Sequence, residues 1–190
     1  MKKFVALFVV VVMMIGIVGC GSTSSSSTEN QLVRVYSKLG DGDASESMSY
    51  KLTDKAKEFL TNHEDMFPWT ANTLDIAIDE SLVDYDFDYR QMLKNTTKFG
   101  DKLIFLPEGY LNQIHETEID DGVYLTEMYV FTEDEQTYVV LFLGESIDEL
   151  LGKEMISVYG LPLDTSHYDN TSGGQTNVIV LAGSKVAKLK

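Results

Sequence analysis

The chain contains a single cysteine, Cys20, in 190 residues. No internal disulfide can form, and no zinc site can be assembled from paired cysteines. The fold must therefore stand on its apolar core. Basic residues are also scarce. Fifteen Lys and Arg face thirty Asp and Glu, a formal charge of −15. Between Asp101 and Thr176 the only bases are Lys102 and Lys153, against sixteen acids. Such a surface repels phosphate backbones and anionic lipid headgroups, which excludes nucleic-acid binding and charge-driven membrane adhesion. Cationic, neutral sugar-like or protein partners remain. The usual chemical motifs are missing too. His63, His115 and His167 are scattered, with no H-E-x-x-H spacing. There is no G-x-S-x-G elbow, and Gly173 and Gly174 are not followed by the Lys-Ser/Thr of a phosphate loop. Asp84, Asp86 and Asp88 begin like a calcium loop, but Tyr89 stands where the turn-making glycine belongs. A solvated acidic face explains them better. No metal or cofactor is expected, and no catalytic residue can be singled out. Carboxylates are abundant enough for a glycosidase-like pair, but one sequence selects none.

What is present begins at the N-terminus. Lys2 and Lys3 precede an apolar run from Phe4 to Val18, closed by Gly19 and Cys20 and followed by a serine-rich stretch. The run is shorter than the roughly 20 residues of a spanning helix and has the layout of a secretory signal. An uncleaved membrane helix is the competing reading. Ile17 to Cys20 resembles the lipobox of bacterial lipoproteins. The resemblance implies cleavage before Cys20, a diacylglycerol thioether on that sulfur, and an extracytoplasmic protein held in the cell membrane by its acyl chains. Removing Lys2 and Lys3 with the leader takes the charge from −15 to −17. Residues 1–19 are thus expected to be signal peptide. Residues 20–49 would be lipidated cysteine and flexible tether, spanning roughly 30 Å if Gly21 to Ser49 is all flexible. Within it, Leu32 to Leu39 could be an added edge strand or a disordered segment.

Residues 50–98 read as a helical N-terminal segment. Thr53 is a candidate N-cap, with Asp54 in the first turn. Ala56, Phe59, Leu60 and His63 fall on one helical face, and Met66 to Trp69 form an apolar plug that Pro68 terminates. Leu74 to Leu82 reads as strand or short helix, Asp88 to Lys94 as a short helix, and Asn95 to Gly100 as a turn. From about residue 99 the period changes. Leu103 to Ile114 is extended, with a bulge expected from Pro107 to Gly109. Val123 to Thr132 is a second strand, Glu133 to Glu135 a hairpin turn, and Gln136 to Leu143 a third strand, apolar on both faces. A short helix is expected over Ile147 to Leu151, a fourth strand over Glu154 to Leu161, a long loop over Pro162 to Thr176 and a fifth strand over Asn177 to Ala187.

The fold class read from this order is α+β, mainly β: N-terminal helices, then over residues 99–190 a five-stranded OB-like barrel with a short helix between strands three and four. Tyr89 and Lys94, Phe99 to Lys102, Gln113 and Ile114, Tyr138 to Val140, Val158 to Pro162, Ser166 to Gly174 and Val180 to Ser184 resemble an uncharacterised family of exported, OB-fold-like bacterial domains. The resemblance implies a fold and a location but no substrate. Some of those relatives carry a zinc ribbon, which this chain, without paired cysteines, cannot form.

Function is therefore read coarsely. The chain is expected to be a membrane-anchored lipoprotein acting as a binding or interaction module of the cell envelope, for a cell-wall glycan, a peptide or a protein partner. The alternative is an envelope-polymer hydrolase using a carboxylate pair. OB barrels bind on the face of strands two and three and on flanking loops, here Glu116 to Gly122 and Pro162 to Thr176. In the second loop, His167, Tyr168 and Asn170 are the ligand-contact candidates, with Tyr168 the aromatic expected to be exposed.

Overall fold

A computed structural model describes residues 30–41, 48–67, 76–169 and 173–190. The leader, Cys20, the serine stretch, Pro68, Trp69, Leu74 and Asn170 lie outside the described residues.

Five long strands form a closed barrel: β2 (Leu103–Asp120), β3 (Val123–Phe131), β4 (Thr137–Gly144), β5 (Glu154–Asp169) and β6 (Gln175–Lys188). A two-residue β1 (Val83–Asp84) pairs parallel to the start of β2. Around the barrel the order is β2-β3-β4-β6-β5, and antiparallel pairing of β5 with β2 closes it. The β4–β6 pairing is the parallel one. This is the strand order of an OB-like barrel, and closure removes most exposed strand edges.

Local chemistry accounts for much of this. The Thr53 side chain accepts from the Ala56 amide and starts α2 (Asp54–Asn62), whose Ala56, Phe59 and Leu60 are buried. His63 closes that helix, its ring 4.5 Å from that of Phe59. Asp88 caps α3 (Tyr89–Lys94). The turn after β3 forms where Glu133 to Glu135 place it, with the Thr132 amide donating to the Gln136 carbonyl at 3.0 Å. The β2 register shifts between Leu106 and Gly109, the expected bulge.

The apolar residues divide into two clusters. Ile104, Leu111, Met128, Val130, Tyr138, Val140, Phe142, Ile156, Val158, Ile179 and Leu181 fill the barrel interior. Met92 of α3 joins them at one end, Ile147 and Leu150 at the other. Gly183 lets this interior close, because a Cβ there would sit 2.5 Å from the Phe142 ring. The second cluster is outside the barrel. Leu125, Val139, Leu141, Leu143, Leu161, Val178, Val180 and Ala182 pack against the N-terminal segment. That double demand is why β4 is apolar on both faces.

Three expectations need correction. Leu32 to Leu39 is neither strand nor disordered: it lies in α1 (Gln31–Gly40), capped by Asn30 and buried through Leu32, Val33, Tyr36 and Leu39. The spacing i, i+1, i+4, i+7 puts those side chains on one face, and burial there outweighs the β-leaning composition. The helical segment therefore reaches back to Gln31. No helix spans Ile147 to Leu151. That stretch is a turn, with the Leu150 amide donating to the Ile147 carbonyl at 3.1 Å, and Ile147 and Leu150 serve as a plug. Finally, the two expected loops are largely strand. β2 runs on to Asp120, and Asp121 and Gly122 make a two-residue turn of the D-G type. β5 runs on to Asp169, paired with β6 as far as Gln175, because Pro162 falls at a register shift where its missing N–H is tolerated.

Candidate functional site

The end of the barrel where β4 and β6 begin is built around α3. Asp88 Oδ1 accepts from the Arg90 and Gln91 amides at 2.9 and 3.0 Å, which fixes the helix start. Tyr89 then points its hydroxyl at the Thr137 and Asn177 carbonyls, 3.3 Å from each. Its ring meets Tyr138 edge-on, with centroids 5.3 Å apart. Tyr89 thus fastens the helix to the first residues of β4 and the third of β6.

Between α3 and the Glu133–Glu135 turn lies an open groove of about 740 Å³. Phe87, Tyr89 and Leu93 give it an apolar wall, and Asp88, Asp134 and Glu135 give it carboxylates. Arg90 supplies the one positive charge among its lining residues, and Gln136 a neutral polar group. Glu135 holds a positive φ of 58°, which shapes the tight turn at the groove's edge. Burial pushes the Tyr138 phenol well above its ordinary value, with Tyr89 and Asp134 adding to the effect. Burial also raises that of Tyr89, against the opposing hydrogen bond from the Thr137 amide. Both hydroxyls therefore stay neutral; the buried Tyr138 donates its own to Gln136 Oε1 at 2.7 Å, and of the two only Tyr89 lines the groove.

The residues singled out from the sequence are split by the structure. His167 is exposed and stands opposite Asn177 in the β5–β6 register, one strand over from the Tyr89 contact. Tyr168 is not the exposed loop aromatic. It is a half-buried strand residue edge-on to Tyr129 at 5.9 Å, and Tyr129 is in turn edge-on to His115 at 6.2 Å. Asn170 lies outside the described residues. The expected binding face is closed on β4, whose outer side chains Val139, Leu141 and Leu143 are buried in the cluster shared with α1 and α2. Sequence reasoning took Asp134 and Glu135 only as turn residues and gave Tyr89 no place in a binding site. The cue that could have joined them is the pairing of an N-capped aromatic with an acidic hairpin, each polar on its free side.

Glu127, on the outer face of β3, is a different place. One carboxylate oxygen, Oε1, is buried without a hydrogen-bond partner. Burial raises its pKa, and His115, its register partner on β2, pulls it back down. Leu39, Met48, Tyr50, Leu125 and Leu141 surround it and leave a void of about 10 Å³. A space of that size holds one water at most. No other carboxylate is among the groups that shift it. A polymer cannot reach it as it would a glycosidase pair.

Asp84 and Asp88 are used locally. Asp84 accepts from the Asp86 amide, and Asp88 caps α3. Among the described residues, no three His, Cys, Asp or Glu come together as metal ligands, and no helix is long and apolar enough to cross a membrane. A scan against protein-family models finds no match, and neither do searches of curated proteins and of solved structures.

Proposed function

We propose that this chain is a lipid-anchored, extracytoplasmic binding module of the cell envelope, with the groove between α3 and the β3–β4 turn as its ligand seat. Cys20 carries the anchoring: it is the lone thiol, placed where a short secretory leader ends. Acyl chains on it contribute about 0.8 kcal/mol per buried CH₂, enough for stable attachment when there are two. The groove supports the binding half of the reading, because it combines apolar and polar walls with the fixed Tyr89 phenol, as ligand seats do. His167 lies beside this end and Tyr168 farther out on the same strand.

Detergent phase partitioning of cells making the wild-type chain and Cys20→Ser tests the anchor. The wild type is expected in the detergent phase, carrying labelled palmitate, and Cys20→Ser in the aqueous phase without label. Equal partitioning of the two rejects lipidation. With the anchored protein, pull-down of envelope material should fall when Arg90→Ala and Glu135→Ala are combined, since both side chains are exposed and outside the core.

A further inference from the structure

On the outer face where β2 pairs with β5, formed by residues that do not line the groove, three rings stand in a row. Phe105 and Tyr159 are register partners and stack with centroids 4.4 Å apart and planes at 23°. Tyr85, just past β1, meets Phe105 edge-on at 6.1 Å. Its side chain is 59% exposed, and its hydroxyl donates to Glu80 and lies within hydrogen-bonding reach of Tyr159. The Tyr85 ring is thus held at both ends of its contact surface yet left open to solvent. An aromatic fixed in this way is costly to expose and gains from being covered.

We propose that this strip is a second ligand site, for a neutral, hydroxyl-rich glycan. The apolar C–H face of a pyranose lies on the Tyr85 ring, and its equatorial hydroxyls reach the Glu80 carboxylate and the Tyr159 phenol. Charge selects the class. Asp79, Glu80 and Asp84 border the strip on one side and repel anions. Lys185, the register partner of Tyr159, borders it on the other, its ammonium donating to the Ile76 carbonyl at 3.0 Å. A fixed cation there disfavours a basic peptide. A ligand with no net charge and many hydroxyls satisfies both sides. This assignment is independent of the groove and of the anchor.

Isothermal titration of the full-length chain, in a detergent without a sugar headgroup, tests it with an N-acetylglucosamine hexamer and a cellohexaose. At least one hexamer should bind, with an affinity that changes little when salt is raised. Tyr85→Ala should weaken that binding about tenfold while leaving the melting temperature unchanged. Tyr110→Ala, at another exposed tyrosine, should leave it as in the wild type. Failure of both hexamers to bind overturns the proposal. So does an unaffected Tyr85→Ala, a collapse of affinity in salt, or an equal loss of binding through Tyr110→Ala.

Discussion

Strands β2 and β4 belong to one barrel and bury themselves in opposite ways. All eight residues of β4 are buried. β2 is eighteen residues long, and its last six are exposed. The difference comes from what lies outside the barrel. β4 has the interior on one side and the α1–α2 layer on the other, so Leu141 is as deeply covered as Val140. The tail of β2 pairs as a strand with β3 alone and carries Glu116, Glu118 and Asp120 on an otherwise polar, exposed stretch. One strand is held by apolar contact and the other by polar fastenings. The outer face of β4 under α1 is covered, while Phe105 and Tyr159 sit at the margin of that same cluster and Tyr85 beside them stays open to solvent.

Removing the apolar fastening should have the largest effect. Tyr36 is fully buried, and its hydroxyl donates to the Leu141 carbonyl at 3.2 Å, while Tyr50 donates to the Tyr36 carbonyl. Truncating a buried aromatic of this size costs about 3–5 kcal/mol. Tyr36→Ala should therefore lower the urea midpoint by more than any single change on the β2 tail. If Tyr36→Ala unfolds at the wild-type midpoint, α1 is not part of the cooperative core and the contrast between the strands fails.

The polar fastening is smaller but specific. Glu116 accepts from Thr126 Oγ1 at 3.0 Å, Ser146 Oγ at 2.7 Å and the Ile147 amide at 2.8 Å. It ties the β4–β5 turn to β2 and so holds Ile147 in the barrel mouth. Glu116→Ala leaves the Ile147 N–H without its partner and should cost about 1 kcal/mol. Amide exchange should quicken at Ile147 and Leu150 ahead of β4. Glu118→Ala, two residues on, loses only an exposed contact to the Gly122 amide and should be near neutral. Equal effects from Glu116→Ala and Glu118→Ala would mean that the latch does not hold the plug.

How far sequence reasoning reaches follows from the range of each interaction. The Thr53 cap, the Pro107–Gly109 bulge, the Glu133–Glu135 turn and the two-faced apolarity of β4 are local signals, and each is legible. α1 is not read from its sequence: its spacing fits a helix, but Val33, Val35 and Tyr36 lean towards strand, and only the barrel wall beneath them decides for helix. Ile147 to Leu151 looked helical because two apolar residues stand three apart. A single turn suffices to plug a barrel mouth, so no helix was needed. The groove was not legible at all. Its walls are more than forty residues apart, joined only because Tyr89 reaches the start of β4. The Tyr85 strip likewise needs the register of β2 against β5 to bring Phe105 to Tyr159. Tyr168 is not readable as half-buried, since Tyr129 covers it from another strand.

Glu127 sits on the border between the covered and the open side, and pH can sharpen where that border runs. Its carboxyl is raised above the ordinary 4.5 by burial beneath Tyr50 and Met48, and His115 opposes the shift. A group whose folded pKa is raised holds its proton more tightly in the folded state. Its favourable contribution is therefore fully present below the unfolded pKa and lost as pH climbs through the folded one. Replacing the carboxyl with an amide removes that loss. Glu127→Gln should match the wild type in denaturant midpoint below about pH 4.5 and exceed it at neutral pH, by a margin smaller than either effect above. His115→Ala withdraws the opposing influence and should deepen the stability that the carboxyl costs as pH rises. A Glu127→Gln midpoint that is lower than wild type at neutral pH would mean that the charged carboxylate is satisfied where it stands, and that the open side reaches one strand further under α1 than the packing of Leu39, Met48 and Tyr50 implies.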